Sequence, residues 1–123
     1  MTSEAEQYKA LVEKLYKRTK EKDLPWGVTW TGEVVCDFRS YKLRLGSSEG
    51  PEGSPLETIE ILNAADQVID SFNDEDLPEG PPDLPFPSYW RLMQAIHKAA
   101  KRQALGADVA IRSIIENLDA DDL

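Results

Sequence analysis

The stretch that decides the fold runs from Val34 to Leu45 and reads VVCDFRSYKLRL. Apolar side chains occupy alternate positions in it, but the alternation shifts by one residue across Arg39 and Ser40. The alternating residues are Val34, Cys36 and Phe38 before the shift, and Tyr41, Leu43 and Leu45 after it. A period of two is typical of strands, and the shift predicts a tight turn or a bulge between two of them. The intervening Lys42 and Arg44 predict a sheet with one buried and one solvent-facing side.

Strand patterns also lie on both sides of this stretch. Residues 26–31 alternate between apolar residues and threonines, and residues 57–72 have the pattern of a hairpin with turn residues at 63–66. No segment long enough for a helix separates any of these strands. The sequence therefore predicts an antiparallel meander of about four strands.

Three segments have the apolar spacing of amphipathic helices: residues 3–21, residues 88–105 and residues 108–118. Gly106 is expected to end the second helix in a left-handed conformation, and Asp108 to cap the third. The apolar face of the third helix consists of Ala107, Ile111, Ile114, Ile115 and Leu118. We therefore expect an α+β fold in which the N-terminal helix and the two C-terminal helices pack on one face of the sheet.

The length of 123 residues suits a single domain spanning the whole chain. Glycines and prolines cluster between the strand that ends at Leu45 and the hairpin pattern that begins at residue 57. This cluster predicts a flexible loop over residues 46–56. Residues 73–87 contain five acids, five prolines and no base, and this composition indicates an extended, solvated connector. Residues 119–123 form an acidic tail.

Composition limits the setting in which the chain works. The formal net charge is −9, which disfavours direct binding to nucleic acid or to an anionic membrane. Cys36 is the single cysteine, so a disulfide within the chain is excluded. The N-terminus lacks the pattern of a signal peptide, and no apolar run has the length of a membrane span. The expected location is the cytoplasm.

The helix over residues 88–105 is a basic segment in an acidic protein, with four basic residues and no acid. Aromatic residues beside cations are frequent in binding surfaces. The candidate contact residues are Trp90, Arg91, His97, Lys98, Lys101 and Arg102. The alternative is that these cations pair with the acidic connector and that Trp90 packs beneath it.

Two further tryptophans, Trp26 and Trp30, bracket the first strand pattern. They could line an aromatic pocket for a ligand or peptide. The alternative is that Trp30 fills the core and Trp26 covers its edge, because indole rings are large core residues.

Catalytic and metal-binding patterns are not found in the sequence. His97 is the single histidine and has no neighbouring motif that would make it a general base. Cys36 occupies an apolar strand position, which favours a buried thiol over a nucleophile paired with His97. No zinc, calcium or phosphate-loop spacing is present. We therefore expect no catalytic residue, no metal ligand and no cofactor, and a protein that is not an enzyme.

The order of elements rests on four segments: Leu15–Trp26, Tyr41–Leu45, Ile59–Phe72 and Ala99–Asp108. In this order the chain resembles small uncharacterised bacterial α+β domains, which have an N-terminal helix, a short meander and two C-terminal helices. The resemblance covers most of the chain. It implies a fold and carries over no functional residue.

These observations favour an accessory or regulatory protein that acts by protein–protein contact, with another protein or as a homodimer. One alternative is a small-molecule binding module with a pocket between the sheet and the helices. A second is an acidic mimic of nucleic acid, motivated by the net charge of −9.

Overall fold

The computed structural model describes residues 3–120 and shows an α+β chain, as predicted. Three α-helices flank a run of five strands. The elements are α1 (Glu4–Lys20), β1 (Trp26–Val28), β2 (Val34–Phe38), β3 (Tyr41–Glu49), β4 (Pro55–Asn63), β5 (Val68–Asn73), α2 (Tyr89–Leu105) and α3 (Ala107–Asp119). Among the described residues, no helix is long and apolar enough to cross a bilayer.

The strands form one antiparallel meander in the order β1-β2-β3-β4-β5. The sheet has five strands, where the sequence predicted about four. The shift of parity between Val34 and Leu45 corresponds to a two-residue turn, because Phe38 pairs with Tyr41 across Arg39 and Ser40. Arg39 takes a positive φ of 49° there, which is typical of tight hairpin turns.

The predicted loop over residues 46–56 is much shorter in the structure. β3 continues to Glu49 and β4 begins at Pro55, so that only residues 50–54 lie outside the strands. Gly46 pairs with Thr58 and Ser47 with Glu57. Small polar residues have weak strand propensity, but here they continue a ladder that neighbouring residues have already started.

Helices α1 and α2 cover one face of the sheet and enclose the core. Ser3 caps α1 by accepting from the Glu6 backbone N–H at 3.2 Å, and Ser88 caps α2 by accepting a bond from the Arg91 backbone N–H at 3.3 Å. The core residues are Val12, Leu15, Trp26, Val34, Cys36, Leu43, Leu45, Ile59, Phe72, Leu77, Tyr89, Leu92, Met93, Ile96 and Ala100. The core thus unites the two helices, all five strands and one residue of the connector.

The prediction that α3 packs on the sheet was wrong. Every residue from Asp108 to Asp119 is exposed, including the predicted core face at Ile111 (46 % exposed), Ile114 (56 %), Ile115 (52 %) and Leu118 (66 %). Gly106 adopts the expected left-handed conformation with a φ of 68°. That turn directs α3 away from the sheet, and amphipathic spacing alone does not reveal whether the covering surface belongs to the same chain.

Asp108 does not cap α3 as predicted. The helix begins one residue earlier, at Ala107, with Gly106 in the cap position and no side-chain cap bond. The Asp108 carboxylate instead accepts from Arg102 at 2.9 Å and from Lys22 at 3.2 Å. These two cations lower the pKa of Asp108, and they fasten the first turn of α3 to α2 and to the end of α1.

The connector over residues 73–87 is partly folded. A short 3-10 turn occupies Asp74–Asp76, and Leu77 enters the core. The Phe86 ring packs edge-on against Tyr16, with ring centroids 5.2 Å apart. The connector therefore runs close against the helical layer and ends beside the start of α2.

Candidate binding groove on helix α2

A groove of about 670 Å³ lies along α2, and we call it the basic groove. Its walls come from α2, from the end of the connector and from β4. The lining residues are Glu57, Phe86, Pro87, Arg91, Gln94, Ala95, His97, Lys98 and Lys101. Four of the six predicted contact residues are therefore brought together in one site: Arg91, His97, Lys98 and Lys101.

The spacing of the lining residues on α2 explains why they share one stripe. From Arg91 the stripe continues at Gln94, Ala95, Lys98 and Lys101, which are three, four, seven and ten positions further on. Such positions lie on one side of a helix with 3.6 residues per turn. The buried side of the same helix is formed by Tyr89, Leu92, Met93, Ile96 and Ala100. Burial of that side in the core points the groove cations outward.

The groove cations are not neutralised by the connector. Arg91, Lys98 and Lys101 are exposed, and within residues 3–120 none of them lies at ion-pair distance from a carboxylate. Arg102, in contrast, pairs with Asp108 and does not line the groove. Among the described residues, the cations of this helix therefore do not pair with the connector acids, in contrast to the alternative interpretation.

A hydrogen-bonded trio closes one side of the basic groove. Glu57 is 8 % exposed, and its Oε2 accepts from Ser47 Oγ at 3.0 Å and lies 3.1 Å from His97 Nδ1. Ser47 Oγ is 3.4 Å from the same ring nitrogen. In a serine triad the hydroxyl and the carboxylate contact opposite nitrogens of the ring. Here both meet Nδ1, so the trio positions Glu57 and the imidazole and does not form a triad.

Cys36 lies apart from this trio. It is buried in β2, and that burial raises the pKa of its thiol to about 11. The hydrogen-bond partners of the His97 ring are Ser47 and Glu57. The described structure thus gives Cys36 the buried position that its strand parity predicts.

The three tryptophans occupy different environments. Trp26 is buried, and its indole N–H donates to Thr19 Oγ1 at 3.1 Å. Trp30 is 97 % exposed, so the interpretation of Trp30 as a core residue was wrong. β1 ends at Val28, and a turn that contains Gly32 with a φ of 90° removes Trp30 from the strand alternation. Trp26 and Trp30 line two separate surface depressions.

Trp90 borders the groove without lining it. The ring is half-buried, and the Arg91 guanidinium carbon lies 5.0 Å from the ring centroid. The indole Nε1 is buried without a hydrogen-bond partner among the described residues. Trp90 therefore supports Arg91 from beside the groove, by a cation–π contact.

Sequence reasoning missed part of the groove, namely Ser47, Glu57, Phe86, Pro87, Gln94 and Ala95. Glu57 carried a signal that could have been used. It shares its parity with Ile59 on β4, so it is a carboxylate at a core-facing position. The other residues lay in segments expected to be loops or ordinary helix surface, and only tertiary packing brings them to the groove.

No protein-family profile matches the chain, and neither the curated proteins nor the solved structures contain a significant match to it. The resemblance to small bacterial α+β domains stays a prediction. Within the described residues, no group of three or more histidine, cysteine, aspartate or glutamate side chains is arranged to hold a metal ion.

Proposed function

We propose that this protein is an accessory or regulatory protein that acts by protein–protein contact, and that its basic groove receives an acidic segment of the partner. The observation that carries the proposal is the set of three exposed cations, Arg91, Lys98 and Lys101, without a carboxylate partner among the described residues. Some cations of the described residues are ion-paired, such as Arg18 with Asp23 at 2.7 Å and Arg44 with Glu60 at 2.8 Å, and others, such as Lys14 and Lys17 of α1, are exposed without a pair. The three groove cations differ from both kinds because they line one groove beside apolar side chains.

The shape of the groove supports an extended or helical ligand. Lys101 lies ten positions after Arg91 on α2, which corresponds to about 15 Å of helix. Phe86, Pro87 and Ala95 provide apolar surface beside the cations. A peptide segment with acids next to an apolar anchor would match both kinds of surface.

The net charge of −9 does not oppose local recognition of an acidic segment. Exposed charges further apart than about 8 Å are largely screened at physiological salt. The five acids of the connector lie outside the groove, and most of the predicted acidic tail, residues 121–123, lies outside the described residues. The groove should therefore act at short range, and its affinity should fall as salt rises.

A charge-reversal experiment tests the groove. The double variant Lys98→Glu/Lys101→Glu reverses two groove cations, and Lys14→Glu/Lys17→Glu makes the same charge change on exposed positions of α1. Quantitative affinity capture from lysate of the source cells, with mass spectrometry, should give proteins that bind the wild type and the α1 variant but are lost with the groove variant. Equal capture by all three forms, or no enriched protein, would contradict the proposal.

A small anionic ligand is the second candidate. The groove volume of about 670 Å³ lies within the range of small-molecule sites, about 300–1,000 Å³. This site is not the tryptophan-lined pocket that the sequence suggested. A thermal-shift screen of small carboxylates and phosphates distinguishes the candidates, because a small ligand should stabilise the wild type and leave the groove variant unchanged.

The hypothesis of an acidic nucleic-acid mimic has less support. On the open face of the sheet Arg44 contacts both Glu33 and Glu60, and Lys42 contacts Asp66. These cations interrupt the negative charge that a mimic would need to present along a continuous surface.

A further inference from the structure

Helix α3 presents an apolar face that residues 3–120 leave uncovered. Ile111, Ile114, Ile115 and Leu118 lie on one side of the helix, and each is between 46 % and 66 % exposed. Contiguous apolar patches of this kind usually mark an interaction site. None of these residues lines the basic groove, so the face is a second and separate surface.

The base of α3 is fixed in a way that keeps this face away from the sheet. Asp108 in its first turn bonds to Arg102 of α2 at 2.9 Å and to Lys22 after α1 at 3.2 Å. Gly106 supplies the left-handed turn between the helices. Folding α3 back onto the core would break both ion pairs, so in the observed arrangement the apolar face is open to another molecule.

We propose that this other molecule is a second copy of the chain, and that two α3 helices pack antiparallel across a two-fold axis. The first reason is that the apolar face is complementary to itself. When Ile111 is placed opposite Leu118 of the second copy, Ile114 falls opposite Ile115, and the same two pairs recur on the other side of the axis. All four apolar residues of each helix are then covered in one register, as an isologous interface requires.

The second reason is charge complementarity between the two ends of α3. The base of the helix carries two cations, Lys22 and Arg102, around the single carboxylate of Asp108, while its far end carries Asp119. Antiparallel packing brings the acidic end of each helix to the basic base of the other. It also places the two helix dipoles in opposite directions, which is the favourable arrangement.

The size of the surface sets the strength of the contact. α3 has 13 residues and is about 20 Å long. A single short helix pair buries less than the roughly 800 Å² per partner of a standard interface. The dimer should therefore be weak and depend on protein concentration.

Sedimentation equilibrium of the full chain tests the dimer. The mass should rise from 13.8 kDa towards twice that value as concentration increases. Ile114→Glu puts a charge at the centre of the proposed interface and should keep the protein monomeric. Val109→Glu is the matched control, because Val109 is 68 % exposed on the opposite side of the same helix and should leave dimerisation unchanged.

Disulfide cross-linking tests the antiparallel register. A mixture of Ile111→Cys and Leu118→Cys chains should yield mainly the mixed disulfide, because these positions face each other in the proposed pair. Self-linking of Ile111→Cys as the main product would overturn the antiparallel arrangement. A wild-type chain that stays monomeric at all concentrations, or an Ile114→Glu chain that still dimerises, would overturn the proposal. Neither result bears on the basic groove, because the variants leave its lining unchanged.

Discussion

At the scale of single residues, the basic groove depends on one buried carboxylate. Glu57 is a charged side chain at a core-facing position of β4, and its hydrogen bond with Ser47 and its contact with His97 supply the polar partners that burial requires. Its backbone N–H donates to Asp74 Oδ1 at 2.8 Å, which ties β4 to the start of the connector. One residue thus links the sheet, the connector and α2.

Trp26→Phe should lower the free energy of unfolding by about 1–2 kcal/mol, because it leaves the buried Thr19 hydroxyl without its indole donor. Trp30→Phe is the matched control and should change stability by less than about 0.5 kcal/mol, since Trp30 is 97 % exposed. Urea unfolding followed by circular dichroism measures both. Equal effects of the two variants would contradict the burial difference described above.

The thiol of Cys36 should resist alkylation in the folded protein. Burial raises its pKa to about 11, so the reactive thiolate is scarce below that pH, and the side chain is 1 % exposed. Iodoacetamide at pH 8 should label the chain fully in urea and only very slowly without it, as followed by mass spectrometry. Rapid labelling of the folded chain would show that β2 opens readily.

At the scale of elements, the junction of α2 and α3 decides where the last helix points. The apolar spacing of α3 predicted a helix correctly. The direction of α3 relative to the sheet depends on Gly106 and on the ion pairs of Asp108. The β3–β4 hairpin shows the same limit of local reasoning. Its weak strand formers, Gly46 to Ser48, are paired because the ladder from Tyr41 to Leu45 extends into them.

Gly106→Ala should destabilise the protein by about 1 kcal/mol, because a side chain is strained at its φ of 68°. Gly46→Ala is the control. A Cβ built there meets no atom within 4 Å, and Gly46 is not among the glycines with positive φ, so a change below about 0.5 kcal/mol is expected. Thermal unfolding of the two variants makes the comparison. A larger loss for Gly46→Ala would show that the hairpin tolerates side chains poorly.

At the scale of the whole molecule, the uneven distribution of charge is the main feature. The chain carries −9 overall, while α2 carries only basic charges and presents three of them along the groove. A net charge of this size makes the compact state repel itself. The positive helix partly offsets that repulsion, in addition to any role in binding.

Salt should therefore stabilise the folded protein. Raising sodium chloride from about 20 mM to about 300 mM shortens the screening length severalfold, so the melting temperature should increase. The Lys98→Glu/Lys101→Glu variant is more negative and should show a larger increase. A melting temperature that falls with salt would indicate that the surface ion pairs outweigh the net repulsion.

The sequence by itself determined the α+β class, the helix positions, the antiparallel meander and the turn at Arg39 and Ser40, because periodicity and turn chemistry are local properties. Tertiary structure alone decided that Trp30 is exposed, that α3 leaves the sheet, and that Glu57, Phe86 and Lys98 share one groove. Amphipathic spacing shows that a residue needs a covering surface but not where that surface lies. Only the packing of distant segments supplies it, and at α3 the described residues leave the apolar face exposed.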